Sequence, residues 1–432
     1  MKLLPYPKYK KTGIAWLPYV PSHWTVSKVK FKIPFQVGWT PPTGVEANFV
    51  GENLWANISD LKSKFIEETK THISDDAAAK ASMEITPKGS LLYSFKLSVG
   101  TVAFAGRDLY TNEAIASFLP NENINISFLY YAAPEFIEKN ASKNIYGASI
   151  LNQELIRNAT LIAPRYSEQT QIATFLDRET AKIDLLIEKQ LRLIELLEEK
   201  RQAAISHAVT KGLNSDVPKV PEHWSTLQLK RLIAKVQTGN TPSGVDEHHF
   251  DSEGMAWYGP SDFTESLYLT EAARKLSESG KKEARIFPPM TVMLVGIGAT
   301  IGKVSLANIE SSANQQINGI YCKDSLDPIF CTYYLRTIKD YIVKCGKYTT
   351  MPIINQEETK NLVVTAPPIE EQHVIAKHIQ RQTLKLDTLV EKAQSAIKLL
   401  KERRTALISA AVTGKIDVRN QVPQDGEEAV AS

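Results

Sequence analysis

Cysteine is scarce: Cys322, Cys331 and Cys345 are the three in 432 residues. An odd number with no C-x-x-C spacing disfavours a disulfide framework and a zinc ribbon. It suits a reduced, cytoplasmic protein. No stretch approaches 18 apolar residues, so a membrane-spanning helix is not expected. The opening MKLLPYPKYKK has no apolar run, which argues against a secretory signal. Neither sign of charge dominates. Lys and Arg total 51 against 48 Asp and Glu, a net +3, so polyanion binding would need local clusters.

Catalytic signatures are also missing. Gly298-Ala299-Thr300-Ile301-Gly302-Lys303-Val304 is one residue short of a phosphate loop and lacks its hydroxyl. Gly296 to Gly302 has the wrong spacing for a dinucleotide fingerprint. No Asn-Pro-Pro-Tyr or Asp-Pro-Pro-Tyr occurs, so the chain is not expected to methylate bases itself. G-x-S-x-G is absent. The adjacent His248-His249 reads as part of a polar loop, not a metal site. Asp60 with Glu68-Thr69-Lys70 mimics a D…ExK nuclease pattern, but the pattern is short and has no echo elsewhere in the chain.

What the sequence does contain is a repeat of half its own length. Val20-Pro21-Ser22-His23-Trp24 returns as Val220-Pro221-Glu222-His223-Trp224. Trp55, Ser59 and Asp60 return as Trp257, Ser261 and Asp262. Asn152-Gln153-Glu154 returns as Asn355-Gln356-Glu357, and Ala208-Val209-Thr210 as Ala411-Val412-Thr413. Between these anchors the halves diverge, as one scaffold carrying two different surfaces would. At 43% hydrophobic residues the chain can build real cores.

Each half opens with a region rich in Gly, Pro, Asn and aromatics. Short β-like runs such as Ser90–Phe95 and Thr291–Val295 lie between turn formers, which reads as α+β. Composition then changes. From Ser167 to about Lys211, and from Glu370 to about Thr413, there is no Gly or Pro and helix formers dominate. Apolar residues follow a heptad: Ile172, Leu176, Ile183, Leu186, Leu193 and Leu197, then Ile375, Ile379, Leu386, Leu389, Ala396 and Leu400. Ile187, Ile194, Val390 and Ile397 widen the stripes. About 40 residues make a rod of roughly 60 Å. So long an amphipathic rod needs a partner of similar length, and the simplest one is the other helix, packed antiparallel. The first 45 residues hold seven lysines (Lys2, Lys8, Lys10, Lys11, Lys28, Lys30 and Lys32) and no acid before Glu46. Such a segment could lie along phosphates or be a plain solvated arm.

Two polar, loop-rich modules on a rigid spacer suit recognition. Base readout needs Asn or Gln for adenine, Arg or Lys for guanine, and hydroxyls for either. The second module offers Asn240, Thr241, Lys303, Asn314, Gln315, Gln316, Lys347, Tyr348 and Thr349. The first offers Lys28, Lys30, Trp39, Thr40, Arg107, Asn112, Lys143, Asn144 and Tyr146.

The order Ala163-Pro164, Glu168-Gln169, Ile172, Leu176, Ile183-Asp184, Lys200-Arg201 and Ala208-Val209-Thr210 recurs in the second half. There it reads Ala366-Pro367, Glu371-Gln372, Ile375, Ile379, Leu386-Asp387, Arg403-Arg404 and Ala411-Val412-Thr413. With Trp16-Leu17-Pro18 and Pro21-Ser22-His23-Trp24, this resembles the specificity subunits of type I restriction–modification enzymes over nearly the whole chain. One departure is Thr210-Lys211-Gly212 where the second half has Thr413-Gly414-Lys415.

The resemblance implies two α/β target recognition domains, at 1–162 and 213–365, within an α+β architecture. Two long antiparallel coiled-coil helices, in spacers at 163–212 and 366–417, would separate them, and 418–432 would be a disordered tail. Each domain would read one half of a bipartite target in double-stranded DNA. The helices would set the gap and dock two methyltransferase subunits, with restriction subunits as further partners. S-adenosylmethionine, ATP and Mg2+ would sit on those partners, and adenine N6 would be methylated on a flipped base. This chain would carry no catalytic residue, cofactor or metal. The competing readings are a nuclease using Asp60, Glu68 and Lys70, and a protein-interaction scaffold without a DNA role.

Overall fold

In the first half, apolar strands stack into a sheet because every side chain in Leu91–Ser94 and Ile115–Phe118 is buried. A computed structural model describes residues 4–143, 149–213, 219–242, 247–348 and 352–421. The chain divides into two compact units. One comprises Met1–Lys189 with Ala396–Ser432, and the other Gln190–Ser395. The division cuts both long helices near their middles, so each unit contains a piece of each helix.

The central sheet of the first unit has five strands, in the order Phe35–Val37, Ile115–Phe118, Leu91–Ser94, Val102–Ala105, Phe65–Ile66. The helix Ile126–Ile137 buries Phe128, Leu129, Tyr131 and Phe136 in the same core as Leu91, Tyr93 and Phe118. A second sheet pairs Asn53–Ala56 with Thr71–Ile73 and Tyr110–Thr111. The second unit repeats the plan. Its five strands run Ile233–Thr238, Ile317–Cys322, Thr291–Val295, Val304–Ala307, Tyr268–Leu269. Its second sheet is built on Phe250–Tyr258.

The Glu-Gln pair that opens each long helix locks it to its module. Glu168 accepts from Trp24 Nε1 at 3.1 Å and Tyr6 Oη at 2.8 Å, and meets His23 Nε2 at 2.8 Å. Gln169 donates to Pro164 O at 3.0 Å and accepts from Asn125 N at 2.8 Å, at the start of Ile126–Ile137. In the second unit Glu371 accepts from Trp224 Nε1 at 3.2 Å and meets His223 Nε2 at 2.8 Å. Gln372 donates to Pro367 O at 2.8 Å and accepts from Asp327 N at 2.8 Å. The recurring Pro-x-His-Trp and Glu-Gln motifs are therefore two halves of one latch.

The helices span Tyr166–Lys211 and Ile369–Val412. Within the first unit Ile172, Phe175 and Leu176 share a core with Ala411 and Val412, while Asp184 Oδ1 meets Arg404 Nε at 2.9 Å. Going forward along one helix means going backward along the other, so the segments are antiparallel. Within the second unit Ile205 and Val209 share a core with Ile375 and Ile379, and Arg201 Nη1 meets Asp387 Oδ1 at 3.0 Å. Asp184 and Arg404 are the repeat equivalents of Asp387 and Arg201, so the same ion pair occurs in each unit.

The buried stripe differs from the heptad expected above. Leu186, Leu193 and Leu389 are 45%, 41% and 46% exposed. Ile187, Ile194, Val390 and Ile397 are more buried than these leucines. Two adjacent apolar positions in each heptad leave spacing alone unable to pick the inner one. The helices end at glycines with positive φ, Gly212 at +83° and Gly414 at +72°, the left-handed exit that favours glycine. A Cβ on Gly414 would also lie 2.4 Å from Pro21.

The lysine-rich N-terminal segment is a hairpin, Tyr9–Ile14 paired with Leu17–Pro21. It is fastened to the end of the second helix by Tyr9 Oη donating to Gly414 O at 3.0 Å. Among the described residues, no helix is long and apolar enough to cross a membrane.

Candidate nucleic-acid interface

The scattered polar candidates converge because both modules build the same crossed pair of loops. In the first module Tyr110–Thr111 runs parallel to Trp55–Ala56, and the chain then turns through Asn112-Glu113-Ala114. Asn112 Oδ1 accepts from Ala114 N at 3.1 Å and closes the turn. A second loop crosses it at Gly38, where a Cβ would fall 1.7 Å from Thr111 O. Only glycine allows that approach. Trp55 Nε1 donates to Trp39 O at 3.0 Å and fixes the crossing loop. Thr40 Oγ1 then donates to Glu113 Oε2. This hydrogen bond, ahead of smaller opposing burial, holds the Glu113 carboxyl below the ordinary range.

In the second module each contact recurs. Ser312–Ala313 runs parallel to Trp257–Tyr258, and Asn314 Oδ1 accepts from Gln316 N at 3.0 Å. Gly239 makes the close approach, 2.2 Å from a Cβ to Ala313 O. Trp257 Nε1 donates to Asn240 O at 3.1 Å, and Thr241 Oγ1 to Gln315 Oε1 at 2.7 Å. The loop after Thr291–Val295 and the pairing of Lys347–Tyr348 with Pro352–Ile353 join this end of the sheet. Gly296 N donates to Gln316 O at 2.8 Å, and Ile297 bridges to Ile353.

The structure thus brings together Trp39, Thr40 and Asn112 in one module. In the other it brings together Asn240, Thr241, Asn314, Gln315 and Gln316, with Lys347 nearby. Some side chains are committed inside the fold. Asn240 donates to Glu283 O at 2.8 Å and accepts from Arg285 N at 2.6 Å. Lys303 donates to Phe263 O at 2.9 Å. Asn314 donates to Gln316 Oε1 at 3.1 Å. Lys347 pairs with Glu358 at 2.9 Å, and Lys30 donates to Asn158 Oδ1 at 3.0 Å. Arg107 pairs with Glu68 at 3.0 Å, at the opposite end of the sheet from the crossed loops. Lys28 is exposed at the end of its strand. Lys143 stands in the short pairing of Ser142–Lys143 with Ser149–Ile150. Asn144, Tyr146 and Thr349 lie outside the described residues, and of Tyr348 only the backbone pairing with Pro352 is described.

Glu113 was absent from the candidates read off the sequence. The signal for it was available, because Thr40 and Glu113 stand in the same relation as Thr241 and Gln315.

The nuclease-like pattern is accounted for by backbone caps. Asp60 accepts from Asn57 N at 2.9 Å and Lys70 N at 3.3 Å. Its equivalent Asp262 accepts from Gly259 N at 2.7 Å and Ala273 N at 3.0 Å. Among the described residues no group of three His, Cys, Asp or Glu side chains could hold a metal ion.

Together these features define a duplicated α+β protein whose halves present one rigid polar turn with different side chains, on long antiparallel helices. The chain belongs to the type I restriction modification DNA specificity domain family, whose profile matches residues 21–196 and again 221–399. It is 27% identical to the type I restriction enzyme MjaIX specificity subunit of Methanocaldococcus jannaschii, covering 95% of this chain and 97% of that one. It is 21% identical to the EcoDI specificity subunit of Escherichia coli over 68% of this chain and 70% of that one. A chain solved in work on complex assembly and conformational transition of the type I R-M system superposes with a TM-score of 0.75. That match has 16% identity and covers 92% of this chain and 99% of that one. The HsdS subunit of Thermoanaerobacter tengcongensis superposes with a TM-score of 0.56 at 16% identity, covering 92% of this chain and 98% of that one.

Proposed function

We propose that this chain is the sequence-reading, non-catalytic subunit of a type I restriction–modification complex. Each module reads one half of a split target in double-stranded DNA, and the paired helices set the unread gap. The reading rests above all on the crossed loops, built identically in both modules and carrying different outward side chains. Phosphate contacts position such a protein, while side chains on base edges specify the sequence. Two weak readers on one chain add to a tight binder, because the second contact is intramolecular.

The helices also provide the surface on which two methyltransferase subunits dock, with restriction subunits as additional partners. S-adenosylmethionine, ATP and Mg2+ then belong to those partners, and the complex works in the cytoplasm. The test is selection from random DNA by the chain with its partner methyltransferase. The expected product is a motif of two fixed blocks separated by an unread gap. A single contiguous motif, or none, would contradict the proposal, as would metal-dependent cutting by the purified chain alone.

A further inference from the structure

The crossed loops pin one outward side chain in each module. In the second it is Gln315, and in the first it is Glu113, both exposed at the same place in the fold. Their neighbours do not share this position. Ala114 is buried, and Gln316 turns back toward Ile297 O. The residues that hold the turn, Asn112 and Asn314, are engaged by backbone amides two residues on.

The chemical contrast is sharp. Thr241 satisfies one lone pair of the Gln315 oxygen, leaving the NH2 group and a second lone pair of this exposed residue without a partner among the described residues. That is a donor beside an acceptor, the complement of the adenine N6–N7 edge. Thr40 donates to one Glu113 oxygen, and the carboxylate, also reached by its own backbone amide, offers only acceptors to anything outside. A carboxylate repels phosphates, so on a DNA-facing surface the base group it suits is an amino group; the Lys96 charge nearby favours keeping it ionised there. Two amino groups face the major groove, adenine N6 and cytosine N4; adenine N6 adjoins the N7 acceptor, which opposes a carboxylate, so the cytosine N4 edge is the better match.

The surroundings of Glu113 fit a covered surface. Leu97, on the adjoining turn, is 86% exposed with φ of +50°, and Trp39, beside Thr40, is 41% exposed. That turn abuts the Glu113 turn through Phe95 N donating to Ala114 O at 3.0 Å. Exposed apolar groups around a pinned polar one are suited to contact with a base edge or its methyl group.

We infer that Glu113 and Gln315 are equivalent specificity-determining residues, Glu113 reading a cytosine in one half-site and Gln315 an adenine in the other. This rests on the proposed reading of split DNA. Thr40 and Thr241 act as positioning residues for them.

The experiment is random-pool DNA selection with the intact complex, for the natural chain, Glu113→Gln and Gln315→Glu. Glu113→Gln is expected to change the preferred base at one position of one block from cytosine to adenine. Gln315→Glu is expected to make the reverse change in the other block. Each switch should amount to about 10- to 100-fold in relative preference, and the untouched block reports that the chain is folded. A normal two-block motif that neither substitution alters overturns this inference alone, as does a change spread over both blocks. A natural chain that enriches no motif overturns the underlying reading, and this inference with it.

Discussion

Replacing Glu168 should cost the first module about twice the stability that replacing Glu371 costs the second, although the two occupy the same place in the repeat. Glu168 is 7% exposed and serves three partners, of which Tyr6 and Trp24 are themselves buried. Burial and the bond to Glu168 both push the Tyr6 phenol well above its usual range, so it remains a donor. In Glu168→Ala, two buried donors lose their acceptor. An unmet buried donor costs about 1–3 kcal/mol, so losing two should cost about 2–6 kcal/mol. Glu371 has no tyrosine partner, and its other partner His223 is exposed. Water can serve His223, but the buried Trp224 donor is left unmet, so Glu371→Ala should cost about 1–3 kcal/mol. Urea unfolding followed by tryptophan fluorescence reads both, since Trp24 and Trp224 sit at the two latches. Equal losses, or a Glu168→Ala cost below about 1 kcal/mol, would refute the argument that the latch differs by its buried donors.

Gly38→Ala should push the crossing loop off Thr111 and erase one block of the selected motif, while Gly239→Ala erases the other; selection on random DNA checks both. Thr40→Val should return the Glu113 carboxyl toward its ordinary range, measured by NMR titration. Because that group is depressed in the fold, its contribution is complete above the ordinary carboxylate range and is lost as pH falls through the depressed value. Arg404→Ala should cost no more than about 1 kcal/mol, because the Asp184–Arg404 pair is solvent-accessible; a double-mutant cycle in urea measures it.

Much of this architecture was legible in the sequence, for identifiable reasons. The long helices announced themselves by the absence of Gly and Pro, and the duplication by motifs recurring in the same order 200 to 203 residues apart. The choice of inner helical face was not legible. Leu186 beside Ile187 and Leu193 beside Ile194 are equivalent to any hydrophobic count, and only the partner helix decides between them. The latch was half legible. Pro-x-His-Trp and Glu-Gln were visible as repeats, but their pairing across about 145 residues of chain depends on tertiary structure. Among the polar candidates, Asn240 and Asn314 looked free in sequence, yet their amides hold loops together. Glu113 was overlooked because the search for base readers took in amides, cations and hydroxyls and no acids.

The most direct test of two readers on one ruler is to insert four helix-forming residues into each long helix, at matched places within 185–199 and its equivalent in the second half. At ~1.5 Å per residue this lengthens the pair by about 6 Å, or one to two base pairs at ~3.4 Å each. The selected motif should keep both fixed blocks and gain that many unread positions between them. An unchanged gap, or blocks whose bases change with the insertion, would contradict the account.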